Sequence, residues 1–561
     1  MRKALWHIRA NDRPTSASEV LDILLRNRGA DASFLNGTLK DLQPYLNMRG
    51  MEEGAELLAW HLAKNHKLVL VGDYDCDGIT SVAQMSLFLR DIGYHNFAVV
   101  IPVRAEGYGM PERAVEDHPD AKLFVTLDCG TADVKPVSLA RSRGADCIVI
   151  DHHEVPSASA GGVAPATVLI NPKQPGCPSV FKDFCSSGLT LLFLSQLRQT
   201  LRRHLAAGVS PALGAKYLTL AALATVADVV PMVDGNRIIT RAGLALLNQQ
   251  NHLPLRHIAE AAGLTGRDLT AVHLGYNIAP RINAAGRIGN PLLAYDLLVT
   301  QDLEKGRKLA QELNQLNAAR QQQENRILES VHRRFTTAMA KRRTLVMADP
   351  RWSGGLVGIV ASRIQQELLY GPTVVLAIDE PLGVARGSAR SVPGFDIHAA
   401  LERCGDLLLR WGGHKMAAGL TVAVEQLDAL AERLEAVAQE HKAEIFIPKG
   451  EVDLELDLGL VSPELSTALK QLEPHGHSNP APFFAARKVT VVTLKAFGRD
   501  SSHLRLAIGN RHQGIFWKGA QHRQSLQWQD RDRLDAIFQV EWDHYRQKPV
   551  LNVKDLGRFF D

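Results

Sequence analysis

Cysteine is scarce in this sequence, and the six cysteines present are never spaced as a Cys-x-x-Cys pair. In a chain of this length we interpret them as the reduced thiols of a cytoplasmic protein rather than as a disulfide framework. No apolar run reaches the roughly 18 residues that a membrane span needs. The basic start, MRKALWHIRANDRPTS, lacks the apolar core of a secretory signal. Low-complexity tracts and fixed-period repeats are also absent, so fibrous and solenoid architectures are excluded.

What remains is the composition of an ordinary globular protein, with 45% hydrophobic and 22% charged residues. At 561 residues the chain is too long for a single hydrophobic core, so we expect three or four domains. The formal net charge of +4 permits a polyanionic partner without requiring one.

From residue 67 onward, short β-rich runs alternate with helical stretches. Continuous apolar strands separated by helices are typical of a parallel sheet that is covered on both faces. The five predicted strands lie in KLVLVGDYD (67–75), FAVVIPV (97–103), KLFVTLDCG (122–130), DCIVIDHH (146–153) and TVLINP (167–172). In such sheets, ligands bind at the carboxyl ends of the strands.

A long polar helix is predicted over residues 302–338, and its polar middle is typical of a helix that joins two domains. The strand-rich C-terminal part predicts a small β-barrel. We therefore predict an α/β protein with five regions: a helical N-terminal region (1–65), a parallel-sheet catalytic domain (66–235), a helical region with the connector helix (236–340), a second α/β domain (341–445) and a C-terminal β-barrel (446–561).

Acidic and histidine residues follow the predicted strands. Asp73, Asp75 and Asp77 alternate in VGDYDCDGIT, directly after the first strand. Like charges this close raise one another's pKa unless they share a cation. Further residues of this kind come from the third strand, the fourth strand and the helical stretch before Pro231: Asp128, Asp151, His152, His153 and Asp228.

A single aspartate at a strand end is ordinarily a cap or turn residue. The whole set in one cleft, however, would be strongly destabilising without a cation. Carboxylates with one or two imidazoles suit Mn²⁺ or Mg²⁺. Two such ions can clamp the attacking and leaving oxygens of phosphoryl chemistry. The residues alone therefore predict a two-metal phosphohydrolase.

The motifs also resemble a known family. DYDCDGITS, LDCG, DHH and ADVVP resemble, in order, the four motifs of the DHH phosphoesterase superfamily, and GGHKMAAG resembles the glycine-histidine motif of its DHHA1 domain. PRINAAGRIGNP, LNQLNAARQQQE and LEPHGHSNPAP narrow the resemblance to the RecJ family of bacterial single-strand-specific 5′ exonucleases. The resemblance covers nearly the whole chain from about residue 45. It implies DHH, DHHA1 and OB-fold domains in that order.

The resemblance also implies residue roles. Metal-binding roles fall to Asp75, Asp77, Asp128, His152 and Asp228, with Asp128 bridging two ions and Asp73 completing the shell of the first. Asp151 is expected to orient a histidine, and His153 to steady the phosphate. Two positions depart from the family pattern: Cys76 stands where alanine is usual, and the LEP segment continues as HGHSNP. Because Cys76 alternates with the carboxylates, we interpret it as a packing residue.

The C-terminal strands carry interleaved basic and aromatic residues, which fit a platform for single-stranded nucleic acid. For any one ring, a place in the barrel core is the simpler interpretation. We predict a 5′→3′ exonuclease that releases 5′-mononucleotides from single-stranded DNA, in recombination and repair. Two alternatives stay open: a phosphodiesterase of short oligonucleotides or cyclic dinucleotides, and a catalytically inactive scaffold, which would require missing ligands. The family resemblance further implies a cytoplasmic monomer that works beside a single-strand-binding protein and a RecQ-type helicase.

A 5′ terminus presents extra charge, and arginine's planar fork suits phosphate oxygens. We predict that Ser388, Arg390 and Arg281 bind the 5′ phosphate, while Arg104 and His414 steady the phosphate being cut. The alternative for each arginine is a solvated or salt-bridged surface position.

Overall fold

The structure is a computed structural model that describes residues 5–157, 161–204, 213–249, 252–498, 500–509 and 512–560. The strands in these residues are β1 (Leu5–Ala10), β2 (Leu68–Gly72), β3 (Phe97–Val100), β4 (Leu123–Leu127), β5 (Asp146–Ile150), β6 (Val168–Ile170), β7 (Leu345–Asp349), β8 (Thr373–Asp379), β9 (Val384–Arg390), β10 (Leu408–Gly413), β11 (Ala417–Ala423), β12 (Lys449–Glu455), β13 (Phe484–Phe497), β14 (His503–Ile508), β15 (His512–Phe516), β16 (Arg533–Asp543) and β17 (Lys548–Gly557).

The α-helices in the same residues are α1 (Ala17–Asn27), α2 (Ala32–Asn36), α3 (Met51–Ala63), α4 (Cys76–Asp91), α5 (Arg113–Glu116), α6 (Val134–Ser142), α7 (Ser186–His204), α8 (Ala215–Ala227), α9 (Asp234–Asn248), α10 (Leu253–Ala261), α11 (Ala271–His273), α12 (Ala279–Ile288), α13 (Leu292–Val299), α14 (Leu303–Arg334), α15 (Val357–Glu367), α16 (Ile397–Glu402), α17 (Leu427–Gln439), α18 (Pro463–Lys470) and α19 (Gly519–Leu526). Among the described helices, none combines the length and the apolar character that crossing a bilayer requires.

The chain forms two compact units. The acidic-site unit contains Val20–Asn317 and Thr467–Ala481. The barrel unit contains the remaining segments, Met1–Glu19, Ala318–Ser466 and Pro482–Asp561. The division falls inside α14, so the predicted connector helix supplies residues to both units.

The acidic-site unit is built on a five-stranded parallel sheet in the order β3-β2-β4-β5-β6. Successive residues of β2 point to opposite faces, and both faces are buried: Leu68 and Leu70 join one core, Val69 and Val71 the other. This accounts for the uninterrupted apolar run in the sequence. All five strands predicted for this sheet are present.

The register of this sheet determines where the acidic residues lie. Gly72, Leu127, Ile150 and Ile170 are paired across neighbouring strands, and each is the last residue of its strand. The residues that follow these positions therefore leave the sheet at one common edge. The predicted convergence of strand-end carboxylates thus follows directly from the strand pairing.

The barrel unit holds two further sheets. One is a mixed sheet in the order β10-β11-β9-β8-β7, in which β7 and β8 are parallel. The other closes into a barrel, β13-β14-β15-β17-β16, with β16 pairing back to β13. Only β15 and β17 are parallel within that ring. This five-stranded closed ring is the predicted OB-type barrel, and the predicted α/β fold class is confirmed.

The N-terminal region departs in part from its helical prediction. Residues 5–10 form β1, a strand that pairs in parallel with β12, which lies near the other end of the chain. Trp6 and Ile8 point toward a small core of Val452, Ala485 and Ile537. The alternation in LWHIRA is short, and the strand that it pairs with is distant in sequence. The sequence alone therefore could not distinguish a strand here from an irregular start.

The predicted region 446–561 is divided between the two units. Thr467–Ala481, which includes most of the LEPHGHSNPAP motif, belongs to the acidic-site unit. Arg237 of α9 donates to the Leu472 carbonyl at 2.8 Å, and Asn479 Nδ2 donates to the same carbonyl at 2.8 Å. The motif is therefore held against α9 of the acidic-site unit through its main chain, and Asn479 stabilises its internal turn.

The polar middle of α14 contains buried charge. Glu324 is 5% exposed and accepts hydrogen bonds from Arg320 at 3.0 Å and from Arg363 of α15 at 2.9 Å. The polar RQQQEN stretch is therefore not simply a solvated bridge. Within the barrel unit it fixes α14 against α15.

Candidate metal centre

The loop between β2 and α4 carries the three alternating aspartates. Asp75 is the N-cap of α4, and its Oδ1 accepts the N–H groups of Asp77 at 2.9 Å and Gly78 at 3.2 Å. Capping uses one carboxylate oxygen of Asp75. The other oxygen remains available at the sheet edge.

Asp77 is held by the start of a second helix. Its Oδ2 accepts the Ser186 N–H and its Oδ1 accepts the Ser187 N–H, both at 2.7 Å. These are the first residues of α7, where the helix dipole favours a negative charge. Burial first, and then the charge of Asp75, raise the pKa of Asp77 to about 6, although the two N–H groups oppose the rise.

Asp128 and His152 bring the remaining carboxylates together. His152 Nε2 lies 3.4 Å from Asp128 Oδ1, 3.6 Å from Asp228 Oδ2 and 3.8 Å from Asp77 Oδ2. Burial, followed by the positive charge of His153, lowers the pKa of His152 to about 3. The imidazole is therefore neutral at physiological pH, which is the form that binds a metal ion.

Within the described residues, three groups of side chains have ligand atoms that all lie within 4.8 Å of one another. The groups are Asp73, Asp75 and Asp128; Asp77, His152 and Asp228; and Asp128, His152 and His153. Asp128 and His152 each occur in two of these groups, and of the two only the Asp128 carboxylate has two oxygens with which to bridge a pair of ions.

The chemistry of these groups fits divalent cations. Asp73 Oδ1 and Asp128 Oδ1 are buried and make no hydrogen bond with the described residues. Burial, and next the Asp75 charge, raise the pKa of Asp73 to about 8. Burial and the neighbouring carboxylates raise the pKa of Asp128 and of Asp228 well above the ordinary value. Oxygen-rich donors with one or two imidazoles suit Mn²⁺ or Mg²⁺, and a cation would relieve the repulsion.

Asp151 is arranged differently, although it also lies at the sheet edge. It accepts hydrogen bonds from the Thr131 N–H at 3.0 Å, the His152 N–H at 2.8 Å and His153 Nδ1 at 2.8 Å. Burial would raise its pKa, but the hydrogen bond and charge of His153 outweigh burial and hold the pKa well below the ordinary value. This arrangement supports the interpretation that Asp151 orients the histidines.

His153 sits at the mouth of the group. Burial alone would lower its pKa, but the hydrogen bond to Asp151 and the charge of that carboxylate raise it to about 9. The side chain is 44% exposed. A cationic, accessible imidazole beside the carboxylates can meet a phosphate oxygen.

Helix α12 supports the aspartate loop from beneath. Asn283 Oδ1 accepts the Cys76 N–H at 2.8 Å. A Cβ on Gly286 would lie 2.0 Å from the Tyr74 carbonyl oxygen, so only glycine allows this approach. Arg104 lies with its guanidinium 4.5 Å from the centroid of the Tyr74 ring. The roles of Asn283 and Gly286 were missed in the sequence, although the PRINAAGR motif that contains them was noticed.

Cys76 is 1% exposed and belongs to the main core of the acidic-site unit. Burial and then the neighbouring aspartates raise the pKa of its thiol. None of the candidate metal groups among the described residues includes a cysteine. These observations agree with its interpretation as a packing residue.

The residues predicted to bind the 5′ phosphate lie in different units. Arg281 is on α12 of the acidic-site unit, where its Nε donates to Asn314 at 3.0 Å and its Nη1 to the Asn277 carbonyl. Ser388 and Arg390 are on β9 of the barrel unit. Arg104, Asp151 and His153 lie in the same acidic-site unit as the six candidate ligands, whereas Ser388, Arg390 and His414 belong to the barrel unit.

On β9, Ser388 and Arg390 face the start of α15. A Cβ on Gly358 would lie 3.0 Å from Arg390 Nη2 and 3.2 Å from Ser388 Oγ. Arg390 Nε donates to Ser362 Oγ at 3.1 Å, and burial lowers the pKa of its guanidinium. A cation, a hydroxyl and a helix N-terminus thus meet at one place, an arrangement that suits an anion.

His414 lies in the turn between β10 and β11. Its side chain is exposed, and its main-chain N–H donates to the Ala417 carbonyl at 2.8 Å. The turn geometry presents the imidazole to solvent within the barrel unit.

Comparisons with known proteins agree with this geometry. Residues 67–225 match the DHH family, N-terminal domain; residues 341–440 match the DHHA1 domain; and residues 452–555 match the RecJ OB domain. The single-stranded-DNA-specific exonuclease RecJ of Bacillus subtilis (strain 168) is 32% identical over 577 residues, which cover 99% of this chain and 71% of that protein. This chain belongs to the RecJ family.

Solved structures of RecJ extend the comparison to the fold. The crystal structure of RecJ in complex with Mn²⁺ from Thermus thermophilus matches with a TM-score of 0.81 and 27% identity, covering 99% of this chain and 80% of that one. The Mg²⁺ complex from the same organism matches with a TM-score of 0.76 and 27% identity, covering 99% and 78%. The family resemblance inferred from the motifs is therefore confirmed.

Proposed function

We propose that this RecJ-family protein is an exonuclease that hydrolyses single-stranded DNA with two divalent ions, Mn²⁺ or Mg²⁺. The observation that carries the proposal is the convergence of six candidate ligands at one sheet edge, with Asp128 and His152 each common to two groups. Its relatives support the substrate, since the Bacillus subtilis protein is described as a single-stranded-DNA-specific exonuclease. The Mn²⁺ and Mg²⁺ complexes of the Thermus protein support the choice of ions.

Two groups of residues in this chain would each hold one ion. One group, Asp73, Asp75 and Asp128, would hold the first ion, and the other, Asp77, Asp128, His152 and Asp228, would hold the second. When bound, such a pair activates water and neutralises charge on the phosphoryl oxygens. The N-cap role of Asp75 and the α7 contacts of Asp77 fix these carboxylates before any ion binds.

Two cations beside the ligand groups would receive the phosphate. His153 is kept cationic and oriented by Asp151, its partner at 2.8 Å. Arg104 is fixed by the Tyr74 ring and by its Nε, which donates to the Gly286 carbonyl at 3.4 Å. We propose that these groups and His414 steady the phosphate being cut, which lowers the cost of developing negative charge.

An aromatic cluster on the barrel favours a polymeric substrate over a cyclic dinucleotide. Phe497, His503 and Trp517 lie with ring centroids 4.9–5.7 Å apart, and Trp517 is 52% exposed. The guanidinium of Arg505 lies 6.0 Å from the Phe497 centroid. Rings with adjacent cations suit the stacked bases and the backbone of a single strand. Not every aromatic of this region is available, because Phe516 and Trp528 are buried in the barrel.

We further propose 5′→3′ polarity with release of 5′-mononucleotides. Ser388 and Arg390 at the start of α15 form an anion site suited to a terminal phosphate, and Arg281 is assigned to the same phosphate. A terminal phosphate carries more charge than an internal one, so such a site selects the strand end.

The test is digestion of single strands labelled at the 5′ or the 3′ end, with Mn²⁺, Mg²⁺ or EDTA. A 5′ label should appear at once as a mononucleotide, a 3′ label should appear last, and EDTA should stop both. Duplex DNA and cyclic dinucleotides serve as comparison substrates. Faster turnover of a cyclic dinucleotide, or immediate release of the 3′ label, would contradict the proposal.

Family membership also supports a setting for this activity. We propose that the protein acts as a cytoplasmic monomer in recombination and repair. A RecQ-type helicase would unwind the DNA, and a single-strand-binding protein would present it. Light scattering of the pure protein, and digestion of a blunt duplex with and without such a helicase, test these assignments.

A further inference from the structure

We propose that Tyr108 is a positioning residue that holds both Asp128 and His153 in place for the two ions and the phosphate. The inference rests on the proposed two-metal function of the site. Tyr108 lies outside the carboxylate and histidine motifs, in the loop between β3 and α5.

One hydroxyl connects the two residues. Tyr108 Oη donates to the main-chain carbonyl of Asp128 at 2.8 Å and lies 2.9 Å from His153 Nδ1. On its other side, Asp128 donates its N–H to the Ile150 carbonyl at 3.0 Å. The peptide groups flanking Asp128 are thus held by the neighbouring strand and by Tyr108.

Asp128 needs such support because its backbone is in an unfavourable conformation. Its φ of 66° is in the left-handed region, which residues with a Cβ adopt at a cost. A residue in this region persists only where its surroundings hold it. Relaxation of this backbone would move the carboxylate that both ion groups share.

The loop that carries Tyr108 is anchored apart from the candidate ligands. Gly107 and Gly109 flank the tyrosine with φ of 94° and 99°. A Cβ on Gly109 would lie 2.4 Å from Asp133 Oδ1, and Asp133 Oδ2 accepts the Met110 N–H at 2.7 Å. The loop is therefore held by Asp133, which belongs to none of the candidate metal groups among the described residues.

Packing does not explain the tyrosine. Its residue surface is 52% exposed, and it is not among the buried core residues. A phenylalanine would keep the edge-on ring contact with His153, whose centroid lies 5.2 Å away. What a phenylalanine would lose is the hydroxyl alone.

The experiment compares the wild type with Tyr108→Phe, both as full-length protein stripped with EDTA. Mn²⁺ alone is titrated by calorimetry, and the Mn²⁺ spectrum is recorded by electron paramagnetic resonance. Loss of a hydrogen bond that orients metal ligands typically weakens metal binding by about 10–100-fold. We expect a weakening of that order, an altered spectrum of the ion pair, and a similar fall in kcat with KM for long single strands within about twofold.

Tyr94→Phe is the matched control. The Tyr94 hydroxyl also donates to a main-chain carbonyl, that of His66, but both residues precede their strands and lie at the opposite edge of the same sheet. This variant should leave Mn²⁺ binding and kcat unchanged. An equal loss in both variants would overturn the proposal, since the effect would then be general.

A second variant, in the loop that carries Tyr108, tests the same proposal. Gly109→Ala should displace Tyr108 by forcing a Cβ against Asp133, and it should reproduce the weakened Mn²⁺ binding. Mn²⁺ affinity within about twofold of wild type in folded Tyr108→Phe would overturn the proposal. So would a fall in kcat without any change in Mn²⁺ binding. If the wild type failed to cut DNA, the proposed function would fail, while the Mn²⁺ titrations would still decide the role of Tyr108.

Discussion

Asp128 and Asp151 are both buried at one sheet edge, yet replacement of each by asparagine should have opposite effects on stability. Without divalent ions, Asp128 has neighbouring carboxylates and an oxygen that makes no hydrogen bond with the described residues. Its pKa in the folded protein is raised well above the ordinary value. The folded state therefore binds more protons than the unfolded state above about pH 4, and stability falls as the pH rises.

The size of the effect follows from that shift. Each pKa unit by which the folded value exceeds the unfolded one destabilises the folded state by about 1.4 kcal/mol at a pH above both values. Asparagine carries no charge in either state, so Asp128→Asn should stabilise the EDTA-stripped protein at pH 8 by that amount for each unit of the shift, and its Tm should rise. The gain should shrink toward pH 4, where the unfolded carboxyl also takes up its proton.

Asp151→Asn should do the reverse. Burial would raise the pKa of Asp151, but the hydrogen bonds to its carboxylate and the charge of His153 hold it below the ordinary value. The charged Asp151 carboxylate therefore stabilises the folded state at any pH above the ordinary pKa of aspartate. This stabilisation is lost as the pH falls through the lowered pKa of the folded protein. Removing one partner of a buried charge pair typically costs about 3–5 kcal/mol, so we expect a loss of about 3 kcal/mol near pH 7.

Thermal unfolding followed by circular dichroism in EDTA, from pH 5 to pH 8, measures both effects. The reasoning requires Tm to rise for Asp128→Asn and to fall for Asp151→Asn at pH 8. A drop in Tm for Asp128→Asn under these conditions would show that the protein alone satisfies this carboxylate. The shared-ligand assignment would then lose its physical basis.

Four further substitutions test other parts of the account. Gly286→Ala should lower the free energy of unfolding by about 1–3 kcal/mol in denaturant titrations, because its Cβ would lie 2.0 Å from the Tyr74 carbonyl oxygen. Unchanged stability would show that the loop can move aside. Arg390→Ala should remove most of the preference for 5′-phosphorylated over 5′-hydroxyl strands, because a hydrogen bond to a charged group contributes about 1.5–3 kcal/mol. If the preference were preserved, the terminal phosphate would bind elsewhere. Trp517→Ala should weaken the binding of long single strands by about 1–3 kcal/mol without changing its salt dependence. Arg505→Ala should instead reduce the slope of log affinity against log salt concentration by about one. Anisotropy titrations at several salt concentrations separate the two effects.

The candidate ligands could be predicted because they depend on a local rule. Asp73, Asp128 and Asp151 each follow the last residue of a buried strand, and parallel strands end at the same edge. A run of apolar residues followed by a carboxylate is therefore enough to place each one. The distinct state of Asp151 could not be seen in this way, because it depends on hydrogen bonds from Thr131 and His153.

The supporting residues were missed because their contacts join distant parts of the chain. Asn283 accepts a hydrogen bond from the Cys76 N–H although the two residues are 207 positions apart in the sequence. The Ser186 N–H donates to Asp77 from 109 positions away. Tyr108 reaches the Asp128 carbonyl from 20 positions away through a loop whose shape depends on two glycines. Such contacts carry no periodic signal, so only the folded chain reveals them.

Titration of EDTA-stripped, full-length protein with Mn²⁺ tests the central claim that two ions share Asp128. The account predicts two ions bound per chain in the wild type. In Asp128→Ala both should bind far more weakly, and the cleavage rate should fall more than about a hundredfold, which is about 2.7 kcal/mol of barrier. Binding of a single ion to the wild type, or two ions bound with unchanged affinity in Asp128→Ala, would contradict it.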